Sequence, residues 1–207
     1  MLLDAVLLTL IVSLVAGGRP GRLTEIELRG VWVFVLAAGA RVALEVLGAK
    51  GSPLAPRLGP WLFVGVYLLL LIGCWLNRRL RPVEVIAVGV LLNFLVVAAN
   101  GGSMPVDREL ARHSAPEKLV QLLDSPAYTV HKPVTERTRL VFLADVLPLP
   151  IVPLPWPHQH PLRPAPYSPG SVGDIFVTAG ACALLVTGLG AFGLGRRRAA
   201  PVELPTP

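Results

Sequence analysis

Long apolar stretches constrain this chain more than any other feature of its sequence. Five of them, separated by short arginine-bearing connectors, cover residues 2–18, 30–48, 60–77, 83–99 and 174–195. Each is close to the ~20 residues that an α-helix needs to cross a hydrocarbon layer. The sequence therefore predicts an all-α membrane protein, a bundle of five transmembrane helices with a mostly irregular extracytoplasmic segment between the fourth and fifth.

The composition agrees with a membrane location. Of the 207 residues, 53% are hydrophobic and 15% are charged. A net charge of +6 would suggest a nucleic-acid partner in a soluble protein. Here the cations gather at helix ends, where they set orientation, so we expect contact with membrane lipids and no nucleic-acid partner.

The arginines predict the orientation of the chain. They lie in the first connector (Arg19, Arg22, Arg29), in the third (Arg78, Arg79, Arg81) and after the last helix (Arg196, Arg197, Arg198). Because positive residues are enriched in cytoplasmic loops, these three regions are expected in the cytoplasm. The N-terminus and the segment between the fourth and fifth helices would then lie outside.

Four regions follow from this topology. Residues 1–100 hold four transmembrane helices, 101–173 form the extracytoplasmic segment, 174–195 form the fifth helix, and 196–207 form a basic, proline-containing cytoplasmic tail.

The extracytoplasmic segment has few regular signals. Ser114 precedes Pro116 and Glu117, which predicts a short helix capped by that serine. Prolines recur from Pro148 to Pro169 and predict an extended polyproline conformation held against the membrane by Trp156.

No metal or cofactor is expected. His158 and His160 are close in sequence, but a metal site needs three or four ligands, and no further ligand spacing is recognisable. Cys74 and Cys182 lie inside apolar stretches and are interpreted as packing residues.

Polar residues inside apolar stretches are candidate binding residues. Asn93 and Asn100 are seven residues apart and share a helix face, where they could bond a neighbouring helix or line a ligand path. Arg41 and Glu45 are one turn apart and can form an ion pair, which is either structural or functional.

Small residues recur at four-residue spacing in the last apolar stretch: Ala179, Ala183, Thr187, Ala191 and Gly195. Such a stripe permits close approach of another helix. It predicts packing inside the bundle or, alternatively, self-association or binding of a membrane-protein partner.

Two aspartates are candidate catalytic residues. Asp145 follows an apolar run and Asp174 opens the last helix, a general form shared with the tail of lipoprotein signal peptidases. Paired carboxyl groups can perform acid–base chemistry by sharing a proton. The Asn-Leu-Ile-Asp-Arg segment of those enzymes is absent, and both acids could instead be structural, Asp174 as a cap or first-turn acid.

Three motifs carry a family resemblance. They are Asn100-Gly101-Gly102-x-Met104-Pro105-Val106, Thr138-Arg139-Leu140 leading to Leu143-Ala144-Asp145, and Ser171-x-Gly173-Asp174. Together they resemble a bacterial family of multi-pass membrane proteins known as domain of unknown function 5317. The resemblance implies a bacterial plasma membrane and motif residues on the outer face, and it implies no activity.

These observations favour a non-enzymatic binding or partner-interacting membrane subunit. Its working surface would be extracytoplasmic and include Asn100, Gly101, Gly102, Met104, Pro105, Asp145 and Asp174. One alternative is a membrane-embedded aspartyl hydrolase that uses Asp145 and Asp174. Another is a small-solute or ion carrier lined by Asn93, Arg41 and Glu45, although an odd helix count without internal repeat argues against ordinary secondary transporters.

Overall fold

The computed structural model describes residues 2–115, 117–150 and 167–193. The long helices are α1 (Leu2–Val15), α2 (Val31–Ala49), α3 (Ala55–Leu76), α4 (Arg81–Ala99) and α7 (Val172–Leu189). Four of them, α2, α3, α4 and α7, are long and apolar enough to cross a membrane. The helical fold class is therefore confirmed, with four candidate spans of full length.

The first helix is shorter than predicted. It ends at Val15 rather than at residue 18, and its 14 residues extend roughly 21 Å, less than the thickness of a hydrocarbon core. It packs on α7, since the Thr9 hydroxyl donates to Cys182 Sγ at 3.1 Å. The chain after it stays beside the end of α7, where the Arg19 amide donates to the Leu189 carbonyl at 2.9 Å.

The last helix also ends early. Gly190 takes a left-handed conformation (φ 65°) and caps α7 after Leu189, as glycine does at many helix ends. The prediction that Ala191 lies in the fifth helix is wrong, because it lies in the following 3-10 turn, Ala191–Gly193. Gly195 lies outside the described residues.

Glycines bring α4 and α7 together. A Cβ on Gly89 would overlap the Gly173 carbonyl oxygen, and a Cβ on Gly180 would come within 2.8 Å of the Pro82 carbonyl oxygen. The α7 face that meets α4 therefore carries glycines, while Ala179 of the predicted stripe is exposed. Helix α3 packs beside α4, and α2 packs beside α3.

We call residues 101–150 and 167–171 the cap. Its elements are β1 (Met104–Val106), α5 (Arg108–Ser114), α6 (Glu117–Leu122), β2 (His131–Pro133), a 3-10 turn (Val141–Leu143), β3 (Leu147–Pro150) and β4 (Tyr167–Gly170). Strands β1 and β2 are parallel, with Met104 opposite His131. Strands β3 and β4 are antiparallel, with Leu147 opposite Gly170.

The predicted role of Ser114 is wrong. The Asp107 side chain caps α5 by accepting hydrogen bonds from the amides of Glu109 (2.8 Å) and Leu110 (3.0 Å). Ser114 is the last residue of that helix, and its hydroxyl donates to the Leu110 carbonyl at 2.9 Å. An aspartate seven residues upstream therefore starts the first cap helix, and α6 follows as a second one where a helix was predicted.

The proline-rich region is paired at both ends. Residues 147–150 and 167–170 form the β3–β4 ladder, so those prolines are not in an isolated polyproline run. Trp156, His158 and His160 fall in residues 151–166, outside the described residues.

The cap and the helices share one hydrophobic core. It joins Leu44, Phe63 and Val97 of the helices to Met104, Val130 and Ala144 of the cap. Glycines at the helix ends admit the cap closely: Gly48 contacts Tyr128, and Gly59 contacts Thr129. The cap is therefore packed directly against one end of α2 and α3.

Candidate functional site

An ion pair on α2 begins the candidate site. Arg41 Nη1 bonds Glu45 Oε1 across one helical turn, and the two side chains are 33% and 38% exposed. The guanidinium also lies over the Phe63 ring, 5.3 Å from its centroid. The pair therefore connects α2 to α3 at the end of the bundle that the cap covers.

Tyr128 links this ion pair to the cap. Its hydroxyl donates to Glu45 Oε1 at 3.4 Å and lies 3.1 Å from Nδ1 of His131. The rings of Tyr128 and His131 are stacked with centroids 6.1 Å apart. Burial, and then the negative charge of Glu45, raise the pKa of Tyr128, so the hydroxyl remains a donor.

His131 and Asp145 complete the series. Nε2 of His131 is 3.8 Å from Oδ2 of Asp145, and these side chains are 27% and 13% exposed. Burial is the main reason that the pKa of His131 is lowered. Burial is also the main reason that the pKa of Asp145 is raised to about 8. The negative charge of Asp174 adds to the rise at Asp145, and the positive charge of Arg41 opposes it. Both shifts favour the neutral form of the group concerned.

Asp145 has one unusual oxygen. Its Oδ1 is buried and has no hydrogen-bond partner among the residues that the structure describes. A buried polar atom without a partner is costly, because it loses its bonds to water without replacement. We call Arg41, Glu45, Tyr128, His131 and Asp145 the polar chain.

Strand β1 positions the cap end of the polar chain. The Asp145 amide donates to the Pro105 carbonyl, and the Asp107 amide donates to the Asp145 carbonyl, each at 2.9 Å. On the other edge of β1, Met104 pairs with His131. Both side chains of the His131–Asp145 contact are thus fixed by backbone pairing to one strand.

The second candidate aspartate belongs to a separate cluster between α4 and α7. One oxygen of Asp174 accepts from Asn93 Nδ2 at 2.9 Å, and the other accepts from the Ser171 amide at 3.1 Å. The Ser171 hydroxyl donates to Asn93 Oδ1 at 2.8 Å and accepts from the Asp174 amide at 2.9 Å. Ser171 is therefore the N-cap of α7, and Asp174 is the acidic partner in a capping box.

The Asn-Gly-Gly motif attaches the cap to the helices. Asn100 Nδ2 donates to the Arg139 carbonyl and Asn100 Oδ1 accepts from the Arg139 amide, each at 2.9 Å. Gly102 has φ 80°, and a Cβ there would overlap the Pro60 backbone. Asn100 and Gly102 therefore contact backbone atoms, those of Arg139 in the cap and of Pro60 in α3.

The structure separates the polar candidates into two groups, and it places Asn100, Gly101, Gly102, Met104 and Pro105 in neither of them. Arg41 and Glu45 join Asp145 through the polar chain, whereas Asn93 joins Asp174 in the capping cluster. Within residues 2–115, 117–150 and 167–193, no three histidine, cysteine or acidic side chains are grouped to hold a metal ion.

Sequence reasoning missed Tyr128 and His131. The available signal was a run, Tyr128-Thr129-Val130-His131, interpreted as a possible strand. Alternation along a strand would place residues 128 and 131 on opposite faces, whereas the side chains here contact each other. Strand β2 in fact begins at His131, and Tyr128 lies before it.

The chain is similar in sequence to known proteins. A model described as a family of unknown function (DUF5317) matches residues 25–186. An uncharacterized protein of Thermotoga maritima is 28% identical over 180 residues, which cover 87% of each chain. No solved structure matches.

Proposed function

We propose that this chain, which belongs to the family of unknown function DUF5317, is a non-enzymatic membrane subunit whose cap responds to protons. The cap is the surface that meets a partner or ligand, and the polar chain beneath it controls how firmly the cap is docked. The observation that carries this proposal is the buried Asp145 carboxyl, whose Oδ1 has no partner in the described part of the chain.

The environment of Asp145 favours a protonated carboxyl. The titratable or charged groups that face Asp145 or its neighbour His131 are Arg41, Glu45, Tyr67, Tyr128 and Asp174. Asp174 opposes a second negative charge, while Arg41 favours one. Burial dominates both, so ionisation of Asp145 is disfavoured while the cap remains docked.

Deprotonation would then weaken the docking of the cap. An ionised and incompletely bonded carboxylate is stabilised by water, and water reaches Asp145 when the cap separates from the helix ends. Because the amide and the carbonyl of Asp145 both bond to β1, the cost of the buried charge acts on the central strand of the cap. The partner-binding surface thereby depends on pH.

We also propose that the chain crosses a bacterial plasma membrane five times, with α1 as the shortest span and with the N-terminus and the cap outside. The arginine clusters in the first and third connectors support this orientation. Alkaline phosphatase fused after Gly102 or Ser168 should be active, because it folds outside the cytoplasm. Activity of a cytoplasmic reporter at both positions would reverse the proposed orientation.

The alternatives receive less support from the geometry. In an aspartyl hydrolase Asp174 would need a free carboxyl group, but both of its oxygens accept hydrogen bonds from Asn93 and Ser171. In a carrier Asn93 would line one path with Arg41, but Asn93 is 5% exposed and bonded between α4 and α7.

Hydrogen exchange tests the proton response. The full chain in lipid nanodiscs is compared at pH 6.5 and pH 8, with rates corrected for the intrinsic pH dependence of exchange. The amides of Asp107 and Asp145 report docking, because both bond across the centre of the cap. Their protection should fall by up to about tenfold per pH unit, the limit for release of one proton.

Two variants make this test specific. Asp145→Asn should abolish the fall in protection with rising pH, because asparagine has no ionisable group. Asp124→Asn changes an exposed cap acid that pairs with Arg108, and it should leave the dependence intact. Equal protection of the wild-type amides at both pH values would exclude a proton-responsive cap.

A further inference from the structure

A cavity lies at the other end of the bundle, away from the cap. It has a volume of about 400 Å³, is partly open, and is lined by residues of the first connector, the end of α3 and the end of α7. Arg29 and Arg79 line it, together with the apolar side chains of Ile26, Leu76 and Leu80. It therefore combines cationic groups with an apolar wall at the end of membrane-length helices.

Asn77 fixes the wall of this cavity. Its Oδ1 accepts from the Arg29 amide at 2.7 Å, and its Nδ2 donates to the carbonyls of Arg29 and Gly73, each at 2.8 Å. Asn77 is only 3% exposed. The Asn77 side chain thus bonds the Arg29 backbone and attaches the first connector to the end of α3. The Arg29 side chain is not needed for this attachment.

The two arginines are available to a ligand. Their guanidinium groups form no hydrogen bond or ion pair with the residues that the structure describes. Two glutamates also line the cavity: Glu25 pairs with Arg22 at 3.9 Å, and Glu27 is exposed. Glu27 therefore opposes an anion in the cavity, and Arg29 and Arg79 attract one.

We propose that this cavity binds the phosphate headgroup of an anionic phospholipid. Arginine is suited to a phosphate because its planar donors match the phosphate oxygens. Basic pockets between membrane helices are a known form of headgroup site. The apolar side chains of Ile26, Leu76 and Leu80 in the lining would contact the acyl chains of such a lipid.

Lipid binding to the purified full chain tests this site. Native mass spectrometry from detergent measures binding of phosphatidylglycerol against phosphatidylcholine, and glycerol phosphate is added as a competitor. Wild type should prefer phosphatidylglycerol. Arg29→Gln and Arg79→Gln should each weaken that binding roughly fivefold, the effect of one basic group near an anionic headgroup.

Two further variants separate the site from general surface charge. Arg81→Gln removes a cation at the same end of the bundle that does not line the cavity, and it should leave binding unchanged. Glu27→Gln removes the opposing charge and should strengthen binding, a gain that misfolding cannot produce. Equal loss in all three arginine variants, no gain from Glu27→Gln, or full competition by glycerol phosphate at lipid-like concentrations would each overturn the headgroup assignment.

Discussion

Asn100 and Arg139, 39 residues apart in the chain, bond each other reciprocally through the asparagine amide and the arginine backbone. The pair joins the end of α4 to the segment that precedes Asp145. The same segment is also bonded to β1, because the Asp145 amide donates to the Pro105 carbonyl. Two of the three motifs identified in the sequence are connected by these contacts.

Replacement of Asn100 should loosen this connection. Asn100→Ala loses both bonds to Arg139 and should lower the free energy of unfolding by about 1–2 kcal/mol. Asn100→Asp keeps the acceptor for the Arg139 amide but sets a carboxylate oxygen against the carbonyls of Val96 and Arg139, so it should be at least as destabilising as alanine. Denaturation in detergent measures both, and faster exchange of the Arg139 amide in the alanine variant locates the effect. Equal stability of all three proteins would contradict the structural role.

Gly101 and Gly102 provide a matched pair. Both have positive φ, but a Cβ at Gly101 meets open space, whereas one at Gly102 overlaps the Pro60 backbone. Gly101→Ala should therefore cost only the left-handed conformation, about 1–2 kcal/mol. Gly102→Ala should cost more and displace the cap from α3, which thermal unfolding would detect. A larger loss in Gly101→Ala would show that the cap does not approach Pro60.

The capping box gives a prediction for Asp174. Asp174→Ala removes the acceptors for Ser171 and Asn93 and should cost about 1–2 kcal/mol. Asp174→Asn should be intermediate, because its amide nitrogen must face one of two donors. Unfolding in detergent ranks the variants. A stability of Asp174→Asn equal to wild type would mean that one of these bonds contributes nothing.

Stability should depend on pH through Asp145 and His131. The folded-state pKa of Asp145, about 8, lies above its ordinary value of 3.8, so its contribution is complete below pH 3.8 and is lost as pH rises through 8. The pKa of His131 is lowered from 6.5, so its contribution is lost as pH falls below 6.5. Stability should therefore fall by roughly 1 kcal/mol between pH 6.5 and 8, because His131 regains part of what Asp145 loses, and it should change little just below 6.5.

His131→Gln separates the two groups. Without the opposing histidine, stability should continue to rise as pH falls below 6.5, because only Asp145 then takes up a proton. Denaturation in detergent at half-unit steps of pH would reveal the difference. A wild-type curve that is flat from pH 6.5 to 8 would mean that Asp145 is already ionised in the folded protein.

The sequence predicted the helical bundle because apolar length is a local property. Helices α2, α3 and α4 lie close to the predicted ranges. The role of Asp174 at the start of the last helix was also predictable, because a capping motif is local in sequence. The ends of α1 and α7 were missed, since Gly190 can end a helix or continue one within an apolar run. The polar chain was missed because Tyr128 reaches Glu45, 83 positions away, only after the cap has docked.

The β3–β4 ladder has a consequence for how this chain can change in evolution or by engineering. Its pairing of Pro150 with Tyr167 holds together the two points between which residues 151–166 run. The distance between those points is set by the ladder and not by the number of residues that join them. The start of α7 should therefore keep its position through β4 and this ladder, whatever the length of chain that joins the two strands.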